Sequence, residues 1–460
     1  MTVRRPARQP LSTFPLSPRG EGRGEGAAPL VTDVLVVGGG LAGAMAALAA
    51  RSRSARVVLA RRAPGATALS SGAIGAAPDT WCAPAEPLAS RLDTLTAARR
   101  LAASRPEHPY AALGPGLDAL EEALAFAAAE LADLLAPPSG RPLFLSTPYG
   151  AVVTAALAQR TMVAADLAAV RGTLAVVGFR GHLGFDARLV AGALAPWEAR
   201  GGPRTTAVEL DLFMRGDLAL ARPHELARAL EAPGAAEEAG RLLGRALPAG
   251  AAAAVFPPVL GRAPAARVME RIAGAAGLPV AETLSDVPSV PGLRLQAALE
   301  ARLLAAGVEL VSGEVAVERG GRPGDEVRAG GREVRARSWV LASGRFVGGG
   351  IVRRGALVEP LLGLPVQATE AGAPDGELAS RPAASLTVRA RRAAQPLLAA
   401  GVRIDRQLRP LDASGAPLHP RLFAAGAVIG GHEVAADGTG LGVGVLTGYL
   451  AGSAAAGAPG

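Results

Sequence analysis

The feature that most limits the fold is a glycine cluster set between two apolar segments. Val34-Leu35-Val36-Val37 is a short, mainly β-branched run, and it ends in Gly38-Gly39-Gly40-Leu41-Ala42-Gly43. The Ala-rich stretch from Ala42 to about Ala50 predicts a helix, and Arg56 to Ala60 predicts a second strand, so the chain opens as a βαβ unit. In that setting each glycine has its own duty. Gly38 permits the tight turn, Gly40 lets a pyrophosphate reach the backbone, and Gly43 lets the helix pack closely on the strand. The helix N-terminus offers N–H groups and partial positive charge to the phosphates.

One part of this fingerprint is missing. A carboxylate normally stands about 20 residues on, at the end of the second strand, to hold the adenosine ribose. Here that place reads Ala60-Arg61-Arg62, so the usual ribose contact is missing and Arg61 or Arg62 is placed to meet a phosphate instead. Just beyond, Ser70-Ser71-Gly72 within TALSSG brings small hydroxyls and flexible backbone to the same end of the sheet. No histidine lies in this loop, which points to a noncovalent cofactor.

Further along, Gly116 to Ala136 predicts a helix ended by Pro137-Pro138, and strands are expected at Leu143 to Ser146 and Leu174 to Phe179, the latter leading to a helix near Asp186 to Leu194. From Gly292 the βαβ pattern resumes with a helix over Leu293 to Ala306, a strand at Val308 to Val311, a hairpin over Val315 to Val334 and a strand at Ser338 to Leu341. That strand ends in a small turn containing Ser343 and Gly344. The C-terminal segment repeats the design: Leu422 to Ala425, then Gly426, Asp437, Gly438, Thr439 and Gly440 ahead of a helix. A helix N-terminus placed there can face a group that becomes negative on reduction.

The order of these elements predicts an α/β protein with a discontinuous FAD/NAD(P)-binding Rossmann-like domain. It is assembled from residues 30–145, 290–350 and 395–460, with 146–289 and 351–394 as an inserted α+β cap. Residues 1–29, basic and rich in Pro and Gly without an apolar centre, read as a disordered tail.

Composition narrows the chemistry. The only cysteine, Cys82, excludes an internal disulfide and a protein-ligated iron–sulfur cluster, which takes about four thiolates; beside Trp81 it reads as a packed thiol. No metal site is expected. The net charge of +8 comes entirely from arginine, since lysine and asparagine are both missing, which reads as compositional bias. With 3% aromatic residues there are few rings for bases to stack on, so nucleic acid is not expected as a partner. No uninterrupted apolar run reaches the ~20 residues of a membrane span.

Residues 32 to 452 resemble the family of B-type subunits of anaerobic glycerol-3-phosphate dehydrogenases. The resemblance runs through VLVVGGGLAG, SSGAIGAA, STPYGAV, LAVVGFRGHLGFDARLVA, FPPVLG, LSDVPSVPGLRL, LASGRFVGGGI, GVRIDRQLRPLD and LFAAGAVIGGHEVAADGTGLGVG, of which VVGFRGHLGFDA and VPSVPGLRL discriminate best. It implies a noncovalent flavin, with FMN open beside FAD because the ribose carboxylate is missing. It also implies a flavin-bearing A-type subunit and an iron–sulfur C-type subunit as partners. Sn-glycerol 3-phosphate is the implied substrate, and the implied location is the inner face of the cytoplasmic membrane, reached through the partner alone. Such an oxidation needs a hydride path, a base and cations for the phosphate. The candidates are Arg180 and His182 after the Leu174 to Phe179 strand, Arg345 after the LASG turn, and His432 in the C-terminal loop.

Overall fold

The computed structural model describes residues 29–77, 87–88, 91–212, 217–317, 321–368, 380–389 and 395–457. The expected tail over 1–29, except Pro29, and the packed thiol at Cys82 lie outside them.

In chain order the elements used below are β1 (Leu30–Gly39), α1 (Leu41–Arg51), β2 (Val57–Pro64), α2 (Leu120–Glu130), β3 (Thr173–Phe179), α3 (Ala187–Leu194), β4 (Arg204–Leu210), β5 (Ala251–Phe256) and β6 (Val280–Glu282). They continue with α4 (Val290–Ala305), β7 (Glu309–Ser312), β8 (Val315–Val317), β9 (Glu326–Ala329), β10 (Arg332–Leu341), β11 (Leu422–Ala424) and α5 (Gly440–Gly457).

The main sheet runs β8-β9-β10-β1-β2-β7, with β11 also on β10. Its centre is parallel. Val34 to Val37 pair with Ser338 to Leu341 on one side and with Val57 to Ala60 on the other. Both faces of β1 are covered: Val34 and Val36 meet α1, whereas Leu35 and Val37 join Trp339 and Val58 beneath. A strand buried on both faces reads as a continuous apolar run rather than an alternation, which is why Val34 to Val37 was legible as a strand. The long β10 changes partner along its length: its first residues pair antiparallel with β9 and its last three pair parallel with β11.

Over this sheet, α1 and α5 pack at backbone distance. A Cβ at Gly452 would stand 2.0 Å from the Ala46 carbonyl oxygen and one at Gly448 2.4 Å from that of Ala42, so only glycine allows the two helices to touch here. Among the described residues α5 is the one helix long and apolar enough to cross a bilayer; it is mostly buried and serves as core.

The inserted stretch carries a second sheet in the order β4-β3-β5-β6. All its pairings are parallel, with helices such as α3 between strands. Alternating strand and helix segments are the pattern that forces parallel crossovers. The other part of the expected α+β cap adds antiparallel pairing, between Val352–Arg354 and Ala356–Val358. The helix expected over 116–136 is also shorter, because a tight 3-10 turn around Pro115 occupies Gly114–Ala119 and the helical hydrogen bonds end at Leu131.

Candidate functional site

The glycine cluster has the geometry its spacing requires. Gly38 has φ +128°, and a side chain there would meet the Ala342 carbonyl oxygen at 2.0 Å. At Gly43 a Cβ would stand 2.0 Å from the Gly38 carbonyl oxygen. Gly40 is different. It sits just before α1 with an extended backbone, and its nearest neighbours to an added Cβ are Thr67 Oγ1 at 3.5 Å and Gly65 Cα at 3.7 Å. Leu41 N–H, which opens α1, donates to Thr67 Oγ1 at 2.9 Å. An oxygen acceptor is therefore already favoured at this helix end, where backbone N–H groups such as those of Ala42 and Gly43 lack intrahelical partners. Thr67 lies within the hydroxyl-bearing loop, yet nothing in the sequence singled it out from Ser70 and Ser71.

Those two serines play smaller parts. Ser70 Oγ accepts from Gly72 N–H at 3.4 Å, and the Ser71 carbonyl accepts from Ser285 N–H. Gly72, with φ +90°, gives its carbonyl to Gln159 Nε2. The loop then crosses to the far end of the site, where Gly75 accepts from Gly442 N–H at 2.7 Å and presses on the Gly438 carbonyl. Ser343, after β10, has a buried hydroxyl with no hydrogen-bond partner, beside Gly344 at φ +75°. Gly426, at φ +72°, packs on Ala42 and donates to Thr447 Oγ1 at 2.8 Å. Gly38, Gly43, Ser343 and Gly426 thus gather at the start of α1, and Gly75 and Gly438 at the start of α5, from three separate stretches of chain. Arg61 runs over Gly39 to an ion pair with Glu300.

At the entry to α5 lies a buried polar cluster. Arg345 spends its fork on three carbonyls, donating from Nε to Ala427, from Nη1 to His432 and from Nη2 to Ile429. Burial lowers its pKa to about 10, and the carboxylates of Glu433 and Asp437 oppose that shift, so it stays charged at neutral pH. His432 is wholly buried, and neither ring nitrogen has a partner; the Gly430 backbone beside the ring falls short of hydrogen-bond geometry. Burial first, then Arg345, pushes its pKa well below the ordinary value and leaves a neutral imidazole. His108 lies against it, ring centroids 6.0 Å apart, and burial with help from Arg105 lowers its pKa to about 3.

Carboxylates frame the pair. Asp437 accepts from Arg105 at 3.0 Å and from Glu433 N–H at 2.8 Å, and Thr439 Oγ1 stands 3.4 Å from His108 Nε2. Arg105 also pairs with Glu107. Gly440 begins α5 against Val434. Sequence reasoning missed His108 and Arg105, which sit between predicted elements with no motif to mark them.

Arg180 and His182 are not brought to this cluster. Arg180 is exposed at the end of β3 and pairs with Asp211, and His182 Nε2 lies 3.1 Å from the Ala221 carbonyl. Both belong to the second sheet.

Residues 33–443 match the family described as "FAD binding domain". A Halobacterium salinarum protein, named as a probable B-type subunit of anaerobic glycerol-3-phosphate dehydrogenase, is 31% identical over 92% of this chain and 98% of its own. The chain belongs to this family of anaerobic glycerol-3-phosphate dehydrogenase B-type subunits. Another member, from Pectobacterium atrosepticum, is 29% identical over 74% of this chain and 81% of that one. Among solved structures, 3-ketosteroid delta1-dehydrogenase from Sterolibacterium denitrificans aligns over 93% of this chain and all of its own, at 12% identity and a TM-score of 0.44.

FAD is the cofactor of this fold family, and the residues present suit it. The α1 N-terminus offers N–H donors to the pyrophosphate, the orphaned Ser343 hydroxyl lies beside the Gly38 turn, and the α5 N-terminus faces the same space.

Proposed function

We propose that this chain is the flavin-bearing B-type subunit of a respiratory glycerol-3-phosphate dehydrogenase, oxidising sn-glycerol 3-phosphate to dihydroxyacetone phosphate. The observation that carries this reading is His432: a buried, neutral imidazole with both ring nitrogens unpartnered, at the turn into α5. Neutral imidazole is the form that can take a proton, although the burial and the Arg345 charge that keep the ring neutral also disfavour the imidazolium that results. Bound FAD supplies the two-electron acceptor for the hydride leaving C2 of the substrate. The His432 ring receives the proton of the C2 hydroxyl, and Arg345 holds the 427–432 loop that carries it. Arg180 and His182 take no part in this reading.

The chain holds one cysteine, so electrons leaving its flavin pass to an iron–sulfur C-type subunit and from there to membrane quinone. An A-type flavin subunit completes the assembly, which sits at the inner face of the cytoplasmic membrane through its partner. A second reading, in which the A-type subunit oxidises the substrate and this chain relays electrons, is favoured by one observation. His432 and His108 have no exposed surface, and the Arg345 fork is filled by carbonyls rather than open to a phosphate.

The test is anaerobic addition of sn-glycerol 3-phosphate to the flavin-loaded chain. Bleaching near 450 nm, slowed in His432→Gln, supports substrate oxidation by this chain. Bleaching only after an A-type subunit is added supports the relay. No bleaching in any combination overturns both, and quinone reduction by the chain alone overturns the subunit assignment.

A further inference from the structure

On β2, at the place where a dinucleotide fold normally has its ribose-binding carboxylate, this chain has a cation, and the structure shows what that cation faces. Arg61 lies in register with Ser312 of β7. Its side chain folds back over the fingerprint turn, with Cδ 2.6 Å from where a Gly39 Cβ would be, so its guanidinium reaches across to α4 instead of out from the sheet. There Nη1 meets Glu300 Oε1 at 2.5 Å. Gln296, one turn earlier on the same face of α4, donates from Nε2 both to Glu300 Oε1 at 2.9 Å and to the Gly39 carbonyl at 3.0 Å. Glu300 is thereby tied to the glycine turn through two separate side chains.

We propose that Glu300, projected from α4, is the carboxylate that receives the adenosine ribose hydroxyls of FAD in this chain, with Arg61 and Gln296 as its positioning residues. This rests on the FAD reading of the fold. Three observations carry it. Glu300 stays ionised, because although burial raises its pKa, Arg61 and Gln296 together bring it below the ordinary value. Only Oε1 is engaged; Oε2 has no hydrogen bond among the described residues, and the side chain keeps 30% of its surface. Finally, Gln296 is 4% exposed and its Oε1 is a buried acceptor with no partner, so the pair presents vacant oxygens beside the turn that the ribose of a bound dinucleotide adjoins. In sequence terms, β2 carries a cation where a carboxylate is usual, and the carboxylate comes from α4 instead.

The discriminating ligands are FAD and FMN, which share the flavin and one phosphate and differ in adenosine monophosphate. Both are titrated into deflavinated full-length protein, with flavin fluorescence giving each Kd, and ADP competition measured alongside. In the wild type we expect FAD to bind more tightly than FMN and ADP to displace it. In the near-isosteric Glu300→Gln the FAD Kd rises about 10-fold or more, the effect of losing hydrogen bonds to a charged acceptor, while the FMN Kd changes less than about twofold. Arg61→Glu combined with Glu300→Arg returns the carboxylate to β2 and restores FAD affinity to within a few-fold of wild type.

Equal shifts for FAD and FMN in Glu300→Gln, or no shift for either, overturn the proposal. So does a wild-type protein that binds FMN as tightly as FAD. If neither flavin binds the wild type, the cofactor reading itself fails with it. A misfolded Glu300→Gln is recognised by far-ultraviolet circular dichroism, and the charge-exchanged pair then decides alone.

Discussion

Two alanine substitutions three residues apart should have opposite outcomes, because the glycines they replace serve different masters. At Gly43 the added methyl would lie 2.0 Å from the Gly38 carbonyl oxygen, a backbone atom at the centre of the β1–α1 turn. The turn must open to relieve this, and overpacking of that kind costs roughly 1–3 kcal/mol or more. At Gly40 the nearest atoms are 3.5 and 3.7 Å away, which is ordinary contact, and the backbone at φ −85°, ψ −175° suits any residue. Alanine there loses some of glycine's preference for the position before a helix but also restricts the unfolded chain. The two effects offset to within about 1 kcal/mol. The cost at Gly40 falls on the ligand instead. A methyl on the face approached by pyrophosphate displaces a charge-assisted hydrogen bond worth about 1.5–3 kcal/mol, or about 10- to 150-fold in Kd.

The assay pairs urea unfolding of the deflavinated protein with flavin stoichiometry from the ratio of absorbance at 450 and 280 nm. Gly40→Ala should unfold at nearly the wild-type urea concentration yet purify with little flavin. Gly43→Ala should be less stable before flavin is considered. A Gly40→Ala protein with full flavin content and unchanged affinity would refute the reasoning, as would a Gly43→Ala protein as stable as wild type.

Other parts of the structure give equally direct expectations. Arg294→Met strands the fully buried Glu282 carboxylate, to which Arg294 Nη2 donates at 2.8 Å, and should cost about 3–5 kcal/mol in urea unfolding; adding Glu282→Leu should recover most of it, and a coupling near zero would refute the pairing. His108 and His432 are both held neutral, so the unfolded chain binds more protons than the fold below the ordinary histidine pKa of about 6.5. Each should therefore remove up to about 1.4 kcal/mol of stability per pH unit as pH falls from there toward about 3 for His108, and His108→Asn should flatten that acid limb. Asp166 and Glu359, whose pKa values burial raises, act in the opposite sense in both proteins and cancel in the comparison. Arg345→Lys cannot serve the carbonyls of Ala427, Ile429 and His432 together, and should make the 427–432 loop susceptible to limited proteolysis; unchanged resistance would show that the fork is dispensable.

The sequence announced the nucleotide end of the molecule because its signals are local. A buried strand, a glycine turn and an Ala-rich helix each declare themselves within about ten residues, and β1, α1 and β2 fall close to where Val34, Ala42 and Arg56 indicated. The reappearance of strands after Gly292 was also visible, although that β10 joins β1 directly was a matter of pairing that periodicity alone does not contain. What stayed hidden depends on encounters between distant segments. His108 meets His432 across more than 300 residues of chain, and no spacing rule links them. Glu300 carries no sequence mark of its own; its place beside the glycine turn comes from the fold of Arg61 onto it. Conversely, Arg180 and His182 drew attention through a conspicuous Gly-Phe-Arg-Gly-His string, and the fold assigns that string to the second sheet.

The contact between α1 and α5 bears on the order in which this protein can be made. Gly448 and Gly452 seal against Ala42 and Ala46, and β11 joins β10 shortly before, so on the ribosome α1 waits for roughly 400 further residues before this flank is covered. Until then α1, with nine of its eleven residues destined for burial, is a sticky segment held in an unfinished sheet. Flavin capture follows the synthesis of α5, and nascent chains stalled before residue 440 should be clients of the cell's chaperones.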